Sequence, residues 1–103
     1  MIEVYTLRPT GDIDIETVED LRSSWLRLID ALKPRRLVID LGQVAFVDSI
    51  ALALFVVASK HQRKHQGVLT LVNVPAAARQ LLAITEIDHF VDVREPDGSP
   101  VIE

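Results

Sequence analysis

Apolar residues recur at helical spacing in several parts of the chain. In the first of them, the apolar positions fall three and four residues apart and would form one face of an amphipathic helix. This face consists of Val18, Leu21, Trp25, Leu28, Ile29 and Leu32. Asp14 or a neighbour can cap the helix, and Pro34 ends it. A later segment begins with Pro75 at a helix start and carries Leu81, Leu82 and Ile84 inward, so it predicts another helix.

Between the helical segments lie runs that are rich in β-branched and aromatic residues. Four of these runs predict strands, at residues 2–8, 35–41, 68–74 and 89–94. The second and third runs are almost continuously apolar, which is typical of strands buried on both faces. Residues 9–14 are predicted to turn the chain, and residues 42–47 are predicted to connect a strand to the next helix.

A second helical pattern starts at an Asp-Ser pair and runs to Gln66, with Gly67 as its stop. Basic residues crowd its last turns, where positive charge suits the helix dipole. The predicted order is then strand, helix, strand, helix, strand, helix, strand. Helices that alternate with apolar strands imply crossover connections and a mixed, largely parallel sheet covered by helices. The sequence therefore predicts a small α/β sandwich over residues 1–94 and a loose C-terminal tail at residues 95–103.

Composition and charge narrow the class of protein. The chain has 103 residues, which is enough for one core, and a formal net charge of −4, which disfavours sequence-independent binding to nucleic acid or anionic lipid. It has no cysteine, and its N-terminus lacks the pattern of a signal peptide. The longest apolar run, Ile50–Ala58, is too short to insert across a membrane. We therefore expect a soluble cytoplasmic domain.

Candidates for catalysis or metal binding are few. His61 and His65 have the spacing of a metal pair on one helix face, but their basic neighbours favour a solvated helix end. Four acidic residues near predicted strand ends could converge at one end of the sheet: Asp12, Asp14, Asp40 and Asp48. A chain of this length has few residues left to form the walls of a substrate cleft around them, and it has no nucleotide-binding motif. We therefore expect neither an enzyme nor a resident cofactor.

The Asp-Ser pair, Asp48 and Ser49, allows two interpretations. As structure, Asp48 would cap the second helix and Ser49 would be its first residue. As function, a hydroxyl exposed at a helix N-terminus lies where unpaired N–H groups and a partial positive charge can accommodate a phosphate. Phosphorylation would add about −1.5 to −2 charges beside Asp48, which a partner facing that side chain would not tolerate.

Several segments together resemble the STAS domain, and among its members the bacterial anti-sigma factor antagonists. The resemblance covers about residues 2–94. It rests on "TGDID", "LVIDLGQVAFVDS", "VLTLVNV" and "VPAAARQLLAITEIDHFVDV". Its most specific parts are the motifs at residues 11–14 and at Asp48–Ser49, and the segment Leu81–Thr85 is a weaker part.

The resemblance implies a switch that acts through protein contacts. Members of the family are phosphorylated on the serine after the Asp by an anti-sigma factor that is itself a serine kinase. The unphosphorylated antagonist binds this kinase and frees the sigma factor, and a metal-dependent serine/threonine phosphatase resets the cycle. By position, Ser49 would be the phosphoacceptor. The implied partner-binding residues are Asp12, Asp14, Asp48, Ser49, Ile50 and Ala51.

The chain departs from the family pattern at two positions. Where the family commonly has a small or hydroxylated residue and then glycine after the Asp-Ser pair, this chain has Ile50 and Ala51. Ile50 would pack in the core if it points inward and would alter the surface that a kinase contacts if it points outward. Ala51 can hinder a close backbone approach. Little sequence precedes the first predicted strand, and the exposed edge left there can promote a homodimer.

Two other functions stay open at this point. The first is a STAS binding subunit of a transporter or a stress-signalling complex, which would use the same helix face without phosphorylation. The second is a small enzyme or ligand-binding domain.

Overall fold

A computed structural model describes residues 2–96, apart from the side chain of Asp88. The three predicted helices are present as α1 (Val18–Leu32), α2 (Ile50–Arg63) and α3 (Ala76–Ile84). The strands are β1 (Val4–Leu7), β2 (Gly11–Ile13), β3 (Arg36–Asp40), β4 (Val44–Val47), β5 (Val68–Val72) and β6 (Asp92–Arg94). A short 3₁₀ helix, Ile87–His89, precedes β6, which is shorter than predicted. The α/β class is confirmed. Of the predicted tail, residues 97–103 lie outside the described residues.

Four strands form a sheet in the order β1-β3-β5-β6, and every pairing in it is parallel. Parallel neighbours need a connection that crosses back over the sheet, and the three helices provide these connections. The register aligns one inward-facing row across all four strands, which consists of Leu7, Ile39, Leu71 and Val93. β1 is an edge strand that pairs, within the described residues, with β3 alone.

The helices pack on one face of this sheet and form the core with it. Buried strand residues such as Leu37 and Leu69 join buried helix residues in one cluster. Trp25 of α1 stacks on Phe55 of α2 with ring centroids 6.3 Å apart, which ties the two helices together. Each large apolar side chain buried in this way contributes about 1.5–3 kcal/mol. The prediction that Ile84 points inward is wrong: it is the last residue of α3 and 78 % exposed, because the helix packs through Ala78 and Leu82.

The other face of the sheet is not covered by the helices. Leu37 and Ile39 of β3 are buried, but Val38 between them is only half-buried. The outward residues line a shallow pocket of about 560 Å³, to which none of the described helices contributes. Burial of β3 on both faces, as the sequence predicted, is therefore wrong, because helices cover only one side. β5 is buried from Leu69 to Val72, as predicted.

Two strands that the sequence did not predict form a second, two-stranded sheet. β2 and β4 pair in parallel, with a bulge between Gly11 and Asp12. They lie in the segments that we expected to be a turn and a connection. Each has at most four residues, two of them exposed, so neither shows the apolar run of a buried strand. Gly11 has φ +80°, a left-handed conformation that favours glycine.

The end of α2 differs from the prediction. The helix ends at Arg63, and Gln66 adopts the left-handed conformation with φ 63°. Gly67 is not left-handed, so it is not the helix stop that we predicted. A Cβ at Gly67 would lie 2.7 Å from Nε2 of Gln62 and 2.8 Å from the carbonyl oxygen of Pro34. Glycine is needed there for space.

Candidate functional site

The pairing of β2 with β4 brings the two acidic motifs together. The backbone N–H of Asp48 donates to the carbonyl oxygen of Ile13 at 3.0 Å, just where both strands end. In the same register, Asp12 lies opposite Phe46 and Ile13 lies opposite Val47. Because the strands are parallel, the residues that follow them leave the sheet at the same edge. The loop after β2 and the start of α2 are therefore neighbours.

A turn after β2 is held by its own hydrogen bonds. The Oδ1 of Asp14 accepts from the backbone N–H groups of Glu16 at 2.9 Å and of Thr17 at 3.2 Å. The hydroxyl of Thr17 donates to the carbonyl oxygen of Asp12 at 2.9 Å. Asp14 thus organises the entry to α1, as predicted, although Thr17 occupies the cap position and its side chain does not cap the helix. The turn has little freedom to rearrange.

Ser49 lies exposed at the start of α2. It occupies the cap position and is not the first helical residue, and no described side chain caps the helix. Its Oγ donates a 3.1 Å hydrogen bond to Oδ1 of Asp48. The prediction that Asp48 caps α2 through its side chain is therefore wrong. The backbone N–H groups of Ala51 and Leu52 donate to the carbonyl oxygens of Asp48 and Ser49, so the helix dipole supplies the partial positive charge that favours an anion at this end of α2.

Asp40 does not belong to this group of residues. Its Oδ1 accepts from Nδ2 of Asn73 at 2.8 Å and from the N–H of Gly42 at 2.9 Å, and its Oδ2 lies 3.5 Å from Nε of Arg8. The hydrogen bond from Asn73, followed by that from Gly42, lowers the pKa of Asp40 below its ordinary value of 3.8. The expected convergence of four carboxylates is wrong, because β3 belongs to the larger sheet and β2 and β4 form their own.

His61, in the last turn of α2, and His65, two residues beyond the end of that helix, have separate structural partners. Nε2 of His61 lies 2.6 Å from Oδ1 of Asp30 on α1, and Nε2 of His65 lies 2.9 Å from the carbonyl oxygen of Pro34. No group of three or more His, Cys, Asp or Glu residues that could hold a metal ion occurs in the described part of the chain.

Two exposed apolar residues lie near Ser49 that the sequence did not single out. Phe46 is 55 % exposed and Ile15 is 73 % exposed. The sequence predicts an irregular connection at residues 42–47, and the direction of a side chain cannot be derived from the pattern of such a segment. The exposure of Phe46 was therefore not predictable. Val44 of β4 is buried and Ala45 and Phe46 are both exposed, so the bulge in the pairing with β2, and not simple strand alternation, leaves this side chain outward.

Comparison with known proteins identifies the family. A family model described as the STAS domain matches residues 3–96. The chain belongs to this family. A STAS-domain containing protein of Pseudomonas aeruginosa is 27 % identical over 88 residues, which cover 85 % of each chain. An anti-sigma-B factor antagonist of Listeria monocytogenes is 28 % identical over 88 residues, which cover 85 % of this chain and 76 % of that one.

Solved structures have the same fold. The anti-sigma factor antagonist SpoIIAA in its unphosphorylated form matches with a TM-score of 0.78 and 16 % identity, over 94 % of this chain and 84 % of that one. A SulP transporter STAS domain from Vibrio cholerae matches with a TM-score of 0.69 and 17 % identity, over 91 % of this chain and 73 % of that one. The STAS fold alone thus does not distinguish these functions. No described helix is both long and apolar enough to span a membrane.

The two departures from the STAS pattern lie on different sides of α2. Ala51 is fully buried in the core, so its side chain does not reach the surface where we expected it to contact a partner. Because it points inward, its methyl group does not block an approach from solvent. Ile50 is half-buried against the core, with the rest of its side chain in an apolar groove of about 220 Å³ between α1 and α2. This STAS domain thus presents Asp12, Asp14, Asp48, Ser49 and part of Ile50, which we call the Ser49 surface.

Proposed function

We propose that this STAS domain is an anti-sigma factor antagonist that binds an anti-sigma factor serine kinase through the Ser49 surface. Phosphorylation of Ser49 by that kinase ends the binding, and a metal-dependent serine/threonine phosphatase restores it. The observation that carries the proposal is the exposed Ser49 hydroxyl at the uncapped start of α2.

The geometry suits a phosphoryl acceptor. In the transfer, Oγ of Ser49 would form a bond to the γ-phosphorus of ATP, the bond from that phosphorus to the bridging oxygen would break, and ADP would leave. The hydroxyl proton would pass to a base that the kinase supplies. The kinase also brings ATP and Mg²⁺, so the antagonist contributes only the correctly positioned hydroxyl group. The hydrogen bond to Asp48 orients the hydroxyl, and the N-terminus of α2 would stabilise the product phosphate.

Charge explains why phosphorylation would end the binding. The phosphate adds about −1.5 to −2 charges within reach of Asp48, whose Oδ1 lies 3.1 Å from Oγ. In the kinase complex, the new phosphate would also face the nucleotide phosphates from which it came. Like charges held this close in a desolvated interface repel strongly. The fold itself does not need to change.

The test uses the purified serine-kinase anti-sigma factors of the source organism, each incubated with the protein and with Mg-ATP. We expect one kinase to add a single phosphate, which peptide mass spectrometry places on Ser49. Ser49→Ala should abolish it, and the matched control Ser23→Ala, an exposed serine on α1, should leave it intact. Ser49→Asp should weaken binding to the kinase.

Two results would contradict the proposal. Phosphorylation of another residue would exclude Ser49 as the acceptor. Binding that is unaffected by Ser49→Asp and is never accompanied by phosphorylation would favour the alternative, a STAS binding subunit of a transporter or stress-signalling complex.

A further inference from the structure

Two large apolar side chains remain in water beside the Ser49 surface. They are Phe46 of β4, 55 % exposed, and Ile15 in the turn after β2, 73 % exposed. The folded domain therefore leaves more than half of each of these large apolar side chains in contact with water. Single exposed apolar side chains are common, whereas neighbouring ones with a polar rim are typical of interaction sites, and the hydrogen bond from Asp48 to Ile13 joins the two segments that carry this pair.

The register of the small sheet fixes the direction of Phe46. Ile13 and Val47 pair and face inward, with Ile13 fully buried. Their neighbours Asp12 and Phe46 also pair and are both exposed, so they point to the opposite side, into solvent. Phe46 precedes Ser49 by three residues, so their Cα atoms are at most about 11 Å apart.

Ile15 is held outward by the backbone of its turn. The residues around it are fixed by the bonds from Glu16 and Thr17 to Oδ1 of Asp14. Ile15 lies inside this hydrogen-bonded turn and cannot fold back onto the core without breaking it. Its exposure is a property of an ordered segment.

The residues around this apolar pair are acidic and have no basic partners of their own. Asp12, Asp14, Glu16 and Asp48 alternate with Ile15 and Phe46 along the two adjoining segments. Every salt bridge among the described residues involves other carboxylates. Their charge is therefore available to a partner with the opposite sign.

We propose that Phe46, assisted by Ile15, is the apolar anchor of the Ser49 surface, and that it enters a pocket with a rim of Lys or Arg on the kinase. This inference rests on the proposed function and adds the residue that supplies most of the affinity. Buried aromatic side chains at the centre of an interface dominate binding, and surrounding charges mainly set the association rate and the choice of partner.

The first experiment measures the affinity of the kinase that phosphorylates Ser49. Phe46→Ala should raise the Kd by about thirtyfold or more, and Ile15→Ala by about fivefold. The exposed aromatic and aliphatic residues elsewhere on the surface provide matched controls: Phe90→Ala and Ile84→Ala should each change the Kd less than about twofold. Phe46→Leu, which keeps an apolar side chain, should recover part of the loss and guards against a folding defect.

The second experiment examines charge. Asp12→Asn and Glu16→Gln should slow association at low ionic strength and reduce its salt dependence, whereas Glu86→Gln, exposed beyond α3, should not. Faster association of the two test variants would mean that the partner surface is acidic, and the inference would be wrong.

The outcomes separate this inference from the proposed function. If the kinase phosphorylates Ser49 and binds the Phe46→Ala variant as tightly as the wild type, the assignment of Phe46 as the apolar anchor is wrong. The proposed function then stands. If no kinase of the source organism binds or phosphorylates the protein, both are overturned.

Discussion

The hydroxyl of Ser49 donates to the carboxylate of Asp48, and neither side chain accepts a hydrogen bond from a backbone N–H group of α2. Within the described residues, the two side chains therefore bond each other and not the backbone of the helix. A side-chain cap usually contributes about 1 kcal/mol, so its absence leaves stability here almost independent of Ser49.

Ser49→Ala should change the free energy of unfolding by less than about 0.5 kcal/mol, the range of ordinary surface substitutions. Urea unfolding followed by circular dichroism measures this value. A loss of about 1 kcal/mol or more would mean that the hydroxyl caps α2 after all. The prediction also makes Ser49→Ala a valid variant for the phosphorylation test, since the protein stays folded.

Ala51 and Ala53 differ in burial although both lie in the first turns of α2. Ala51 is fully buried and Ala53 is exposed. Ala51→Leu would force extra volume into a filled core and should destabilise the protein by about 1–3 kcal/mol. The same change at Ala53 should cost less than about 0.5 kcal/mol. Equal effects at the two positions in urea unfolding would contradict the inward direction of Ala51.

Asp40 should make stability depend on pH in the acid range. Its pKa is lowered in the folded state, mainly by Asn73, so the ionised form stabilises the fold above the ordinary pKa of 3.8 that the unfolded chain keeps. This contribution disappears as the pH falls through the lowered folded-state pKa. Asp40→Asn should therefore lose less stability than the wild type when urea unfolding is repeated at decreasing pH below about 4.

A direct titration provides the control for Asp40. In carboxyl NMR spectra, Asn73→Ala should move the titration of Asp40 upward toward its ordinary value, by more than Arg8→Gln does, because the Asn73 hydrogen bond is the larger cause. A larger upward shift of the Asp40 titration in Arg8→Gln than in Asn73→Ala would contradict this ranking of the two causes.

Gly67→Ala should destabilise the protein by about 1–3 kcal/mol, because the new Cβ would crowd Gln62 and a backbone carbonyl. The measurement is thermal or urea unfolding. Gln66→Gly, at the neighbouring left-handed position, provides the contrast: it should be neutral or stabilising, since glycine adopts that conformation without strain. A neutral Gly67→Ala would show that the turn after α2 relaxes easily.

The fold was largely predictable because its long elements carry strong local patterns. The apolar face of α1 can be recognised from its periodicity, and the apolar runs of β3 and β5 can be recognised from their length. The Asp48–Ser49 motif was visible as well, because it begins a helix. β2 and β4 were not predictable in the same way, since three or four residues with half their side chains exposed resemble a loop.

The sequence by itself determined the α/β order, the STAS resemblance and the candidate serine. The tertiary structure alone decided which residues surround that serine. Pairing of β2 with β4, remote in sequence, placed Asp12 beside Phe46, excluded Asp40, and turned Phe46 outward. Ala51 is buried because α2 packs into the core that it shares with the other helices and the strands. The physical reason is that periodicity reports contacts within one segment, whereas strand register and side-chain direction depend on partners far along the chain.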